Sequence, residues 1–204
     1  MRITVIDTET TGLDLSKHEI IQIGVVQLQQ EDFGDIKSLA EYECNIRPYN
    51  IKSASPEALK INGYTEEKWK HSISFKDMFN PLNHIWEKSD LLLGQNLIFD
   101  LRFITKHYKR YGLDRPMFPR YLDTKHMGSQ LVNEGIMKSS SMDSMCKHFN
   151  IKFKGRAHTA LTDCQRTVTL WRQLGKYAEA KKFSYEEPYD PHAKTNSNAR
   201  SSKQ

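Results

Sequence analysis

"EIIQIGVVQL", residues 19 to 28, is nearly continuous in apolar and β-branched side chains over the length of a single strand. A strand with one wet face alternates, whereas an unbroken apolar run is buried on both faces. This stretch therefore predicts a sheet covered by helices rather than a two-sheet sandwich. Working outward, "RITVI" at 2–6 precedes it and the weakly alternating "LAEYECNI" at 39–46 follows, giving three strands in succession. "LLLG" at 91–94 and a stretch around "RYLDT" at 120–124 supply a fourth and a fifth. Strands first, then strands alternating with helices, describe an α/β domain with a mixed five-stranded central sheet flanked by helices.

The helices carry their own punctuation. "SPEALKING" at 55–63 places Ser55 as N-cap, Pro56 at the first helical position and a stop at Asn62-Gly63. Thr65 with Glu66 and Glu67 starts a second helix, its acids complementing the positive end of the helix dipole. "FKDMFNPLNHIWEK" at 75–88 is helical with a break or kink expected at Pro81. In "NLIFDLRFITKHYKRYG" at 96–112, Leu97, Leu101, Ile104 and Tyr108 form one apolar stripe, capped by Asn96 and stopped near Gly112. The last helix runs from about Thr159 to Lys181.

The 204 residues suit one domain, placed at 1–183, and the polar segment 184–204, "SYEEPYDPHAKTNSNARSSKQ", reads as a flexible tail. No window approaches the roughly 18 apolar residues of a membrane span, and the chain begins directly on a strand, not a signal peptide. A cytoplasmic, intracellular protein is expected. Cys44, Cys146 and Cys164 are odd in number and widely separated, so they read as reduced, buried side chains and not as a disulfide or zinc site. A net charge of +5 and a pI near 9.0 favour polyanionic partners such as nucleic acid, although solubility alone would also explain them.

Asp7 and Glu9 end the first strand at i and i+2, so they share a face with Cα atoms about 7 Å apart. Alone, such a pair is ordinary solvated acid. In the last helix, however, Leu161, Cys164, Val168 and Trp171 form one stripe, and Ala160, Asp163, Thr167, Leu170 and Leu174 its neighbour. Asp163 thus interrupts the packed side, where an unpaired carboxylate is costly and something cationic should meet it. His158 lies roughly 140° away from Asp163 around an ideal helix, so it belongs to the preceding loop or first turn. Asp100, in the first turns of its helix, suits the dipole there. Helices that enter after strands bring such residues to one sheet edge, where four carboxylates would converge. Each pair at about 4 Å costs roughly 4 kcal/mol at an effective dielectric of 20, which stability alone does not retain. An all-oxygen set favours Mg²⁺ or Mn²⁺, and two such ions suit phosphodiester hydrolysis.

Three ordered motifs, "DTETTG" at 7–12, "GQNLIFD" at 94–100 and "HTALTD" at 158–163, resemble those of the DEDDh, or DnaQ-like, 3′-to-5′ exonucleases. That family includes the DNA polymerase III proofreading subunit, ribonuclease T and oligoribonuclease, and has a ribonuclease H-like fold. The likeness spans about residues 2–175. It implies that Asp7, Glu9, Asp100 and Asp163 bind two Mg²⁺ or Mn²⁺ ions and that His158 is the general base. It also implies that the backbone at Thr10 and Thr11 holds the terminal 3′-hydroxyl, that Leu13 wedges against the last base, and that Asn96 supports the site or only caps its helix. Gln95 and Asn62 replace histidines of many relatives, which implies altered supporting or substrate contacts, with Asn62 counted among the substrate-binding positions. Gln22 replaces a glutamate in the second strand, which bears on metal tuning. Asp123 matches a recurrent position, but reads as a turn or cap.

The expected activity is two-metal 3′-to-5′ exonuclease action on single-stranded or frayed DNA, of repair or proofreading type, releasing nucleoside 5′-monophosphates. The alternatives are RNA trimming by the same chemistry, or an inactive nucleic-acid-binding module, which the complete acid set disfavours. A nucleotide-binding dehydrogenase is weaker still as an alternative, because no Gly-x-Gly-x-x-Gly follows the first strand. The basic runs "KHYKRYGLDR" and "KFKGR" are candidates to grip a backbone, and the tail is a candidate to dock a polymerase or other protein. Oligomeric state is open.

Overall fold

The computed structural model describes residues 1–32, 35–114, 116–153 and 157–184, with side chains to residue 180. The expected tail lies almost wholly outside these residues, as does most of "KFKGR". β1 (Arg2–Thr10) pairs antiparallel with β2 (Ile20–Gln30), and β3 (Ile36–Asn45) pairs antiparallel with β2 on its far side. β4 (Leu91–Gly94) and β5 (Tyr121–Asp123) join in parallel beyond β1, giving the mixed five-stranded order β3-β2-β1-β4-β5. Most of β2 is buried, as its unbroken apolar run requires.

Between these strands lie α1 (Pro56–Asn62), α2 (Glu66–Trp69), α3 (Phe79–Glu87) and α4 (Leu97–Arg110). After β5 come α5 (Thr124–Asn133), α6 (Met142–His148) and α7 (Ala160–Ser184). Ser55 caps α1 and Gly63 ends it in the left-handed region, at φ 70°, as the sequence predicts. Pro81 causes no break in α3. It sits in the first turn, where a missing N–H has no intrahelical partner to lose, and the discontinuity falls earlier, where the short 3₁₀ turn Phe75–Met78 gives way to α3.

The sheet is packed on both faces. Ile6, Ile20, Ile23 and Leu92 meet Phe75, Leu82 and Trp86, together with Leu97, Leu101, Ile104 and Tyr108 of α4. On the other face Ile3, Val5, Val26, Leu28 and Leu93 meet Cys164, Val168 and Trp171 of α7. Strand alternation puts Ile3, Val5, Asp7 and Glu9 on the α7 side, so the apolar contact that seats the helix continues into the acids at the strand's end. The second stripe of α7, through Leu170 and Leu174, packs on Leu131, Met137, Met145 and Cys146 beneath α5 and α6.

Gly24 makes this docking possible. It lies opposite Asp7 in the β1–β2 register, and a Cβ there would stand 2.3 Å from the backbone carbon of Ala160. Cys164 reinforces the contact, its Sγ donating to the Gly24 carbonyl at 3.2 Å. Gly24→Ala is therefore expected to destabilise the protein by roughly 1–3 kcal/mol, seen as a lower denaturant midpoint at unchanged slope. An unchanged midpoint would mean that α7 has room to retreat.

No helix among the described residues is long and apolar enough to cross a membrane. All three cysteines are free, with Cys146 and Cys164 buried and Cys44 half-buried.

Candidate active site

α7 begins against the sheet because the sheet supplies its cap. The first helical N–H groups have no intrahelical acceptor. Here Gln22 Oε1 accepts from Ala160 N–H at 2.9 Å, and Glu43 Oε1 from Leu161 N–H at 3.1 Å. Gln22 is itself oriented by donating through Nε2 to Asn45 at 2.9 Å. In this chain Gln22 thus anchors the helix that carries Asp163.

Anchored this way, α7 brings Asp163 and the loop residue His158 to the end of β1. One ligating atom each from Glu9, His158 and Asp163 lies within 4.8 Å of the others. His158 reaches them from the loop ahead of α7, where it is exposed and its backbone is left-handed, at φ 64°, so the helical spacing that would set it off the Asp163 face does not apply. The cation expected beside Asp163 is Arg166, one turn on, which donates to Asp163 Oδ1 at 3.0 Å and also pairs with Asp143. Burial works against its charge, but those two hydrogen bonds outweigh it and hold the guanidinium more firmly protonated than usual. Arg166 is a residue the sequence reading missed, though its place three after Asp163 is a signal for it.

Asp100 arrives from the opposite face of the sheet. Its carboxylate accepts from the Thr8 N–H at 2.9 Å and the Thr8 hydroxyl at 2.6 Å, and it is only 3% exposed. Burial pushes its pKa up to about 7 despite those bonds. Asp7, between the two helices, is raised well above the usual carboxylate range, first by burial and then by the charges of Asp100, Glu9 and Asp163; Arg166 opposes this only in part. The five residues thus form one electrostatic unit with an excess of negative charge.

The start of α4 corrects one expectation. Asn96 occupies the cap position but sits at φ 66° and makes no side-chain cap. The cap comes from Asp123, at the end of the parallel neighbour β5, whose two oxygens accept from Asn96 N–H and Leu97 N–H at 2.9 Å each. Asp123 also caps α5 through Lys125 N–H. Its reading as a cap holds, and it serves two helices. Gln95 points away to Thr124 and Ser140.

A cleft of about 600 Å³ opens beside the acids, lined by Glu9, Thr10, Gly12, Leu13, Asn62, Phe99 and His158 among others. Leu13 stands 83% exposed on its rim. Asn62 donates from Nδ2 to the Thr10 carbonyl at 3.1 Å, which ties α1 to the cleft wall. Thr11 does not line the cleft, and its N–H and carbonyl are taken by Glu19 and Ser55, so it serves by shaping the turn. Phe99, a half-buried ring in the lining, also went unmarked in the sequence. The arrangement gathers carboxylates, an exposed imidazole and a partly apolar wall around one cleft.

A family model described as exonuclease, RNase_T, matches residues 4–171. Ribonuclease T of Shewanella frigidimarina (strain NCIMB 400) is 27% identical over 194 residues, covering 84% of each chain. Among solved structures, the nuclease domain of 3′hExo, described as a DEDDh family member bound to rAMP, superposes with a TM-score of 0.71 at 17% identity. It covers 86% of this chain and 92% of that one. E. coli Exonuclease I in complex with a dT13 oligonucleotide gives 0.72 at 16% identity, covering 89% of this chain, which spans only 42% of that enzyme. The family match extends from β1 into α7 and so takes in every element that bears an acid: this chain belongs to the exonuclease family and is a hydrolytic exonuclease, with the fold of the DEDDh member 3′hExo.

Proposed function

We propose that this exonuclease uses two Mg²⁺ or Mn²⁺ ions, held by Asp7, Glu9, Asp100 and Asp163, to release nucleoside 5′-monophosphates from the 3′ end of single-stranded or frayed DNA, with His158 as general base. The observation that carries the reading is the convergence of Glu9, His158 and Asp163 beside Asp7, with Asp100 buried behind. The donor set fits such ions: the acids offer hard oxygen atoms, and no thiolate belongs to the cluster. Bound there, a pair of divalent ions supplies the charge that activates a water and stabilises the leaving oxygen.

The chain's own residues do the rest. His158, exposed on its loop, takes the proton of the attacking water and is free to leave with it. Leu13 inserts against the terminal base and Phe99 offers a ring for stacking, which demands an unpaired 3′ end. Thr10 and Asn62 form the wall against which the terminal sugar rests. The reading takes residues 1–183 as the catalytic unit and places it in the cytoplasm.

The oligonucleotide complex of Exonuclease I supports DNA as substrate. A second reading, RNA trimming, is favoured by the likeness to a ribonuclease T over 84% of each chain. Digestion of matched 5′-labelled single-stranded DNA, duplex DNA and RNA decides between them. A ladder shortening from the 3′ end, fastest on single-stranded DNA and abolished by chelator, is expected. Release of the 5′ label in the first turnover would overturn the polarity, and faster loss of RNA would move the assignment to the second reading.

The acids also predict a pH-dependent response to metal. The folded chain keeps protons on Asp100 to about pH 7, and on Asp7, that an unfolded chain sheds near pH 4. Between those values the folded state binds more protons, so these groups make the metal-free protein less stable as pH rises. Mg²⁺ competes with those protons, so its stabilisation should grow from pH 5 to pH 7.5, reaching about 2.7 kcal/mol at a hundredfold excess over Kd. Thermal melts with and without Mg²⁺ read the difference. An increment independent of pH would contradict the carboxylate site.

A further inference from the structure

A second groove of about 850 Å³ begins where the catalytic cleft ends. Leu13, Asp14 and His18 line the cleft, while Leu15 and Ser16, from the same turn, line the groove; Phe99 lines the first and Ile98 the second. The two spaces therefore share a wall made by this turn and the first turn of α4. Lys106 fixes that wall by donating from Nζ to the His18 carbonyl at 2.6 Å, and Asp14 holds the turn through the Ser16 N–H and hydroxyl.

The lining has two chemistries. Ile98, Arg102, Thr105 and Lys109 follow one another along α4 at spacings of four, three and four, so the outer stripe of the helix carries cations beside an apolar start. Opposite them lie the apolar surfaces of Leu15, Phe118 and Tyr121; Leu15, Ile98 and Tyr121 are exposed at 37%, 46% and 49%. From Ile98 to Lys109 the stripe runs roughly 16 Å, room for a few nucleotides. Apolar and aromatic surface next to exposed large hydrophobics needs a covering partner with flat apolar faces, and the cations need one with anionic charge. A duplex offers phosphates but keeps its bases stacked inside, so it would satisfy the cations and leave the apolar floor wet. A single strand with unstacked bases satisfies both.

We propose that this groove binds the single-stranded nucleic acid immediately 5′ of the nucleotides held in the catalytic cleft, with Arg102 and Lys109 on its phosphates and Tyr121 and Phe118 against its bases. The proposal rests on the exonuclease reading and extends its substrate site along α4. It makes the enzyme's efficiency depend on substrate length beyond the residues that reach the acids.

The test compares three-nucleotide and twelve-nucleotide single strands as substrates for the native enzyme and for Arg102→Gln/Lys109→Gln, two exposed positions. The ratio of kcat/KM for the long strand over the short one is expected to fall about tenfold in the variant, through KM. The slope of log KM for the long strand against log salt should shrink by roughly 1.4, because two phosphates are no longer neutralised by the protein. An unchanged ratio with an unchanged slope would overturn the groove assignment while leaving the exonuclease reading intact. A loss confined to a frayed duplex, absent on single strands, would also overturn it, by giving the groove to the complementary strand. Failure of the native enzyme to shorten either oligonucleotide from its 3′ end would remove the underlying reading itself.

Discussion

Replacing Asp7 by asparagine is expected to lower turnover by about three orders of magnitude and, in the same protein, to raise the melting temperature measured in chelator. The two effects have one origin. Asp7 stands between Asp100, Glu9 and Asp163, and their charges, together with burial, push its carboxyl well above its ordinary range. Without an ion this crowding destabilises the folded state. An amide of the same shape relieves it by roughly 1–2 kcal/mol, or ~2–8 °C for a chain of this size. With ions the balance inverts, since the lost ligand charge is worth several kcal/mol in the transition state. Saturating Mg²⁺ should therefore raise the melting temperature of the native enzyme far more than that of the variant. A variant less stable than the native protein in chelator would show that Asp7 is held by structural bonds and not by the needs of a cation.

His158→Ala should lower kcat by about 10² to 10⁴ with little change in KM, the pattern of a group that acts only in the transition state. The ring is exposed and its loop is outside the packed core, so the fold and the metal-dependent rise in melting temperature should survive. This separates the base from the ligands, because an equal loss of Mg²⁺ stabilisation in this variant would recast His158 as a ligand. The residue's left-handed backbone adds a second expectation: glycine, which adopts φ 64° freely, should be tolerated structurally as well as alanine and be equally inactive.

Much of this was legible in the sequence because the strongest signals are local. β2 announced a covered sheet through its own composition, and α4 and α7 through apolar stripes long enough to be counted. The same periodicity made Asp163 conspicuous. α5 and α6 left no such mark: α6 has only seven residues, and α5 carries Gly128 at a buried position where a Cβ would meet the Met145 sulfur at 2.6 Å. What the sequence hid most thoroughly were roles set by pairing between distant strands. Asp123 displaces Asn96 as the cap of α4 only because β5 lies parallel beside β4, with Asp123 opposite Gly94. Gln22 reaches α7 across 138 positions of chain, so its cap has no local trace. Arg166 was within reach, since the sequence demanded a cation near Asp163 and one stood a single turn away.

Gly24 carries no charge, holds no ion and touches no substrate, yet its missing side chain decides whether the two halves of the chemistry meet. A homologue could keep all four acids and the histidine, fold its sheet, and still be inert because a methyl group on the second strand holds the last helix off the surface. Searches for silenced members of this group should therefore read the residue facing the first aspartate across the sheet together with the acids themselves. There, inactivity would be written as bulk in a place where no chemistry occurs.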